Sequence, residues 1–201
     1  MSRWYIRLGN WCFNLVLLNL LWLLFTVGGL VLFGIFPATA ALFSVLRHML
    51  TKDEDVAVIP LFGKKFKEEF LMANALGYIS SLGALILFIN LRILQQFEPS
   101  TIRSILFGAT VVIAIIYGFI FMYLYPLFVH MKVKLVDYIK LAFFMAIAKP
   151  LHTVLNVSGM ACIWMIYGWL PVLIFVFGIS LPALVLMRVA LISLPKQEHT
   201  Q

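Results

Sequence analysis

Four polar residues that fall on one helical face, Lys149, His152, Thr153 and Asn156, are the first candidates for chemistry in this chain. Spacing of i, i+3, i+4 and i+7 lines them up along a helix that enters an apolar run. Polar groups at membrane depth are costly and often mark a path for an ion or solute. Plain packing is the simpler reading: Lys149 snorkels to headgroups while the other three bond to neighbouring helices. His48, His130, His152 and His199 lack the i, i+4 spacing of metal ligands, and Cys12 and Cys162 lie in separate apolar stretches with no CxxC. No phosphate-cradling G-x-x-x-x-G-K, no H-E-x-x-H and no G-x-S-x-G occurs. The expectation is a protein without metal, cofactor or catalytic site, not an enzyme.

Composition says what must position those residues. Of 201 residues, 64% are hydrophobic and 11% charged, with a mean hydropathy of +1.06. A soluble domain is about half apolar and about a quarter charged, so lipid must solvate most of this chain. Eighteen Phe and five Trp exclude disorder. The net charge of +7 does not point to nucleic acid, because the cations sit at the ends of apolar runs and act as topology and headgroup anchors. No polar interval reaches the roughly 40 residues that a soluble domain needs to fold alone.

The apolar runs divide into about six membrane segments, near 11–27, 30–50, 71–93, 105–129, 151–168 and 172–194. Residues 30–50 either cross fully or form a re-entrant piece, which would leave five crossings. Their Pro37 removes a backbone donor and is best placed in the first turn of a helix, so a break is expected at Phe36-Pro37 after a partly non-helical stretch. Arg3 and Arg7 with Ala38-Thr39-Ala40 imitate a signal peptide, but the apolar run is too long and continues past that site, so a retained anchor is expected. Ala73, Gly77 and Ser81 form a small-xxx-small row that permits close helix contact within the chain or between copies in a homo-oligomer.

Two further helices read as interfacial, near 60–70 and 133–148. In the first, Phe62, Phe66 and Phe70 make an aromatic face with Lys64, Lys65 and Lys67 between them. In the second, Leu135, Ile139 and Phe143 share a face, and Lys132, Lys134 and Lys140 supply charge. With six crossings and both termini cytoplasmic, 13 of the 15 Lys and Arg lie inside, leaving only Arg92 and Arg103 outside. The expectation is an all-α polytopic bundle in a single domain, with both basic segments cytoplasmic and forming the candidate surface for a partner.

Asn19-Leu20-Leu21-Trp22-Leu23-Leu24-Phe25-Thr26 followed by Phe36-Pro37-Ala38-Thr39-Ala40-Ala41-Leu42 resembles the N-terminal signature of the YesL-like family. The resemblance continues through Phe62–Phe70, Tyr125-Pro126-Leu127 and Ala148-Lys149-Pro150-Leu151. It implies an integral protein of the bacterial cell membrane, mostly Gram-positive, with no catalytic residues to carry over. Relatives are commonly encoded beside carbohydrate ABC importers. The resemblance therefore implies an accessory or regulatory partner of importer subunits or of a membrane sensor kinase. The alternative is a small carrier whose path is lined by the Phe36-Pro37 break and the Lys149–Asn156 stripe. The permease role itself is not expected, since Ile179-Ser180-Leu181-Pro182 and Ile192-Ser193-Leu194-Pro195 match only the end of the permease coupling signature.

Overall fold

A computed structural model describes residues 2–51 and 56–194. Among them are nine helices: α1 (Ser2–Gly28), α2 (Ile35–Thr51), α3 (Val58–Glu68), α4 (Phe70–Gln96), α5 (Thr101–His130), α6 (Leu135–Ala148), α7 (Pro150–Trp169), α8 (Val172–Phe177) and α9 (Ser180–Ser193). Four are long and apolar enough to cross a membrane, α1 from Gly9 onwards, α4, α5 and α7. The apolar helices α2 and α9 are shorter. The 17 residues of α2 rise about 26 Å, close to the ~30 Å hydrocarbon thickness. The molecule is a helical membrane bundle.

Helix α2 is its hub, in contact with α1, α3, α4, α5 and α9. The reason lies in Pro37-Ala38-Thr39-Ala40-Ala41-Leu42: of these, all but Thr39 are buried, and three alanines let neighbouring backbones come close. Thr39 is tied both ways. Its hydroxyl donates to the Ile35 carbonyl at 2.7 Å and accepts from the Trp22 indole at 3.0 Å, fastening α2 to α1.

The α1–α2 connection is non-helical over residues 29–34, as the proline argument requires. Leu30 and Val31 adopt φ of 57° and 62°, a left-handed conformation that costs a side-chain-bearing residue roughly 1–2 kcal/mol. The stretch survives among apolar groups because its backbone is satisfied. Val31 N–H bonds the Thr26 carbonyl, the Asn74 amide donates to the Phe33 carbonyl at 3.1 Å and the Tyr78 hydroxyl to the Leu32 carbonyl at 3.0 Å. Pro37 sits in the first turn of α2, where its missing donor has no intrahelical acceptor to lose. Pro37→Ala should therefore lower stability in detergent by about 1 kcal/mol or less, through unfolded-state entropy alone. A gain of about 3 kcal/mol in a thermal melt would instead show that the proline interrupts a helix.

Three expectations need correction. The segment 172–194 is not one helix: it breaks at Gly178 between α8 and α9. The buried face of α6 is Tyr138, Ala142 and Ala146, with Leu135 and Ile139 beside them, whereas Phe143 points away and is exposed. A strict i+4 row drifts around a helix of 3.6 residues per turn, and only alternating steps of three and four stay on one side. The small row on α4 ends at Ser80 rather than Ser81, and its Gly77 is covered by Phe36 of the same chain.

Beyond this core, α4 and α5 extend as a hairpin. None of residues 81–122 is buried, yet they carry an almost unbroken apolar surface that suits lipid contact. Within it, Arg103 closes the carboxyl end of α4 by donating to the Leu94 carbonyl at 2.8 Å, and Thr110 donates to Asn90 at 3.1 Å.

Candidate functional site

Helices α2 and α5 end on the same side of the bundle, where α4 and α6 begin, and these ends enclose a cleft of about 610 Å³. Helix α2 contributes Ser44, Arg47 and His48, which share one face at i, i+3 and i+4. The basic groups lie in the last turns of α2, where the carbonyl end of a helix favours positive charge. Arg47 also donates to the Val129 carbonyl at 2.8 Å, joining α2 to the end of α5.

Lys65 and Glu68 from α3 form the second wall and pair at 2.8 Å. That hydrogen bond holds the Glu68 carboxyl below the usual carboxylate range, with the Lys65, Lys64 and Lys132 charges adding to the effect. Glu69 stands at the joint where α3 gives way to α4, with φ −97° and ψ 5°, and its side chain caps no backbone N–H. The third wall is the linker after α5, which carries Lys132 and Val133. Tyr138 of α6 holds this linker extended: its hydroxyl donates to the Met131 carbonyl at 2.8 Å and accepts from Val133 N–H at 3.3 Å.

The structure thus brings the two basic segments to one place, with Lys65 and Lys132 lining a common cleft. Lys64, Lys67, Lys134 and Lys140 are exposed. Of these, Lys64 lies 3.8 Å from Glu68 and Lys140 lies 3.9 Å from Asp137, surface pairs of little energetic weight. The aromatic members of the expected surface do something else. Phe62 is fully buried, 5.2 Å from the Phe25 ring; Phe66 packs 4.9 Å from Phe25 and 5.7 Å from Phe70. That stripe binds α3 to α1 through Phe62 and Phe66, while Phe70 is half-buried. Arg47, His48 and Glu69 were missed as site residues, although the Ser44, Arg47, His48 spacing was readable.

The polar stripe on α7 also resolves into packing. Lys149 donates through Nζ to the Ser193 carbonyl at the end of α9. Thr153 is buried, shares a hydrogen bond of 3.1 Å with the Tyr123 hydroxyl and donates to the Ala146 carbonyl at 3.1 Å. Asn156 has no exposed surface, and neither its amide nitrogen nor its oxygen has a partner. Through Lys149 and Thr153 the stripe joins α7 to α5, α6 and α9; His152, its fourth member, is half-buried. Among the described residues no cluster of His, Cys, Asp and Glu could hold a metal ion.

Residues 15–91 match the family model described as protein of unknown function, DUF624. Three proteins of Bacillus subtilis (strain 168) are similar along most of their length. The chain is 33% identical over 181 residues to uncharacterized protein YesL, covering 90% of this chain and 85% of that protein. It is 31% identical over 194 residues to uncharacterized protein YteU (96% and 86%) and 38% identical over 183 residues to uncharacterized protein YesV (90% and 86%). No solved structure matches.

Proposed function

The chain belongs to the YesL-like family, and from that premise we propose a non-enzymatic membrane protein that docks a partner on the basic end of its bundle. One observation supports this reading above the others. Two basic segments far apart in sequence meet around one cleft through Lys65 and Lys132, and Lys64, Lys67, Lys134 and Lys140 of the same segments are exposed. Complementary charge steers and selects partners, and exposed lysines on two adjoining segments select an acidic surface. The proposed partner is a carbohydrate ABC importer or its membrane sensor kinase. The burial of Asn156 and the bonds of Lys149 and Thr153 favour this reading over a carrier whose path would run along the α7 stripe and the Phe36-Pro37 break.

The test is co-purification from native membranes in mild detergent, with bound proteins identified by mass spectrometry. Importer subunits or the sensor kinase should accompany the wild type and be lost when Lys64, Lys67, Lys134 and Lys140 are all changed to Glu. Equal recovery with the variant would refute docking through these lysines.

The same reading places the basic end and both termini in the cytoplasm of the cell. It rests on the excess of cations on that side. Single cysteines at Ser2, Lys65, Gln96 and Thr200, probed on intact cells with an impermeant thiol reagent, should label only at Gln96. Labelling at Ser2 as well would reduce the count to five crossings.

A further inference from the structure

Three polar side chains near the tip of the α4–α5 hairpin have bonding capacity that the chain leaves unused. Asn90 is exposed; its Oδ1 accepts from Thr110 at 3.1 Å, but its amide nitrogen meets no acceptor among the described residues. Ile86, Ile89 and Ile93 beside it are exposed as well. Lipid tails offer an amide N–H nothing to bond, and a polar group in that position drives helices to associate. Arg92 stands one turn before the end of α4, its guanidinium 5.3 Å from the centre of the Phe88 ring, and Glu98 lies in the turn that follows. Both are exposed, and neither makes an ion pair with any described residue.

These groups suit a second copy of the same chain. Copies inserted in one orientation, and related by a two-fold axis along the membrane normal, bring each residue to the height of its own counterpart. A carboxamide carries donor and acceptor together, and its oxygen has a second lone pair beside the one given to Thr110, so Asn90 is complementary to itself. Arg92 and Glu98 are complementary to each other. The same axis makes that pairing twice, Arg92 with the partner's Glu98 and Glu98 with the partner's Arg92. The small row expected on α4 does not serve instead, since Ala73 is buried and Phe36 covers Gly77.

We propose that two copies of the chain pair in the membrane through the α4–α5 hairpin, with Asn90 bonded to the partner's Asn90 and Arg92 to the partner's Glu98. Ile86, Ile89 and Ile93 pack around the amides, and their branched Cβ leaves them few rotamers to lose. The 27 residues of α4 rise about 40 Å, and the cleft lies at the start of that helix while this contact lies near its end. The pairing therefore holds whether or not another protein docks on the lysines.

The experiment counts subunits of the full chain in vesicles of phosphatidylethanolamine and phosphatidylglycerol. Single-molecule photobleaching gives the dimer fraction over a range of protein-to-lipid ratios. The wild type should form dimers that separate on dilution. Asn90→Leu should need about tenfold more protein per lipid to reach the same dimer fraction. Arg92→Glu should abolish pairing by setting carboxylate against carboxylate, and adding Glu98→Arg should restore it. The three side chains are exposed, and Thr110 keeps its bond to the Leu106 carbonyl at 2.9 Å, so the variants should melt with the wild type. In native membranes, with Cys12 and Cys162 changed to Ser, Ile93→Cys should oxidise to a disulfide-linked dimer. Val154→Cys, exposed on α7, should not. Four results overturn the proposal: monomers at every ratio, dimers that Asn90→Leu and Arg92→Glu both leave intact, equal cross-linking at the two cysteines, or a disulfide to a different protein in place of the dimer.

Discussion

Adding one methyl group at residue 34 should unfold the amino-terminal hairpin. A Cβ on Gly34 would lie 2.5 Å from the Thr26 carbonyl oxygen, 2.7 Å from that of Phe25 and 2.9 Å from the Thr26 Cα. All three are backbone atoms of α1, so no side chain can swing aside. Gly29 faces Gly34 from the other side, where a Cβ would meet the Gly34 Cα at 2.5 Å. The two chain segments cross with only hydrogen atoms between them. Overpacking usually costs about 1–3 kcal/mol, and Gly34→Ala belongs at or above the top of that range because relief requires moving α1 against α2. Gly28→Ala, where nothing lies within 4 Å, is the control and should melt with the wild type. Val31→Gly tests the same turn from the opposite direction. It relieves a φ of 62° and should leave stability unchanged or slightly higher, despite the entropy cost of glycine. Thermal unfolding of the three variants in one detergent decides the matter, and a Gly34→Ala protein as stable as wild type would mean that the crossing is looser than described.

What the sequence revealed and what it hid follow from the range of the interactions involved. The helix start at Pro37 was legible because a missing N–H and a fixed φ are properties of the residue itself. The turn before it was legible from an apolar run too long for one crossing. That Phe62 and Phe66 face inward was not, since periodicity identifies an aromatic face and says nothing of what covers it. Phe25, which does cover it, lies on another helix. The cleft was hidden for a similar reason. It is assembled from the ends of five helices and the linker after α5, and Glu69 signals nothing in sequence until α3 and α4 meet at it. The α7 stripe was legible as a polar face, and its simpler reading as packing agrees with the bonds made by Lys149 and Thr153. Likewise, the segment Pro37–Leu42 that carries the family resemblance is buried at all positions but Thr39.

Two asparagines among apolar helices should respond with opposite sign to the same substitution. Asn19 of α1 is built into the hydrogen-bond ladder of α8 and α9. In a continuous helix Ile179 N–H would donate to the Phe175 carbonyl; here Ile179 N–H donates to Asn19 Oδ1 at 3.1 Å, and Asn19 Nδ2 donates to the Phe175 carbonyl at 2.8 Å. The inserted amide opens the helix at Gly178, and the Tyr167 hydroxyl takes up the Gly178 carbonyl at 3.1 Å. That break could not be read from residues 172–194, because its cause lies 160 positions away. Asn19→Leu leaves a donor and an acceptor stranded in an apolar setting, at about 1–3 kcal/mol each, so a loss of about 2–6 kcal/mol is expected. Asn156 is the reverse case: its amide is fully enclosed and neither end is bonded, so it carries the desolvation cost with no compensating partner. Asn156→Leu, nearly the same size, should raise stability by about 1–2 kcal/mol. A lower melting point for Asn156→Leu would show that ordered water completes its amide and that α7 is wet at this depth, which would reopen the carrier reading. A higher one shows that α7 is dry at this depth.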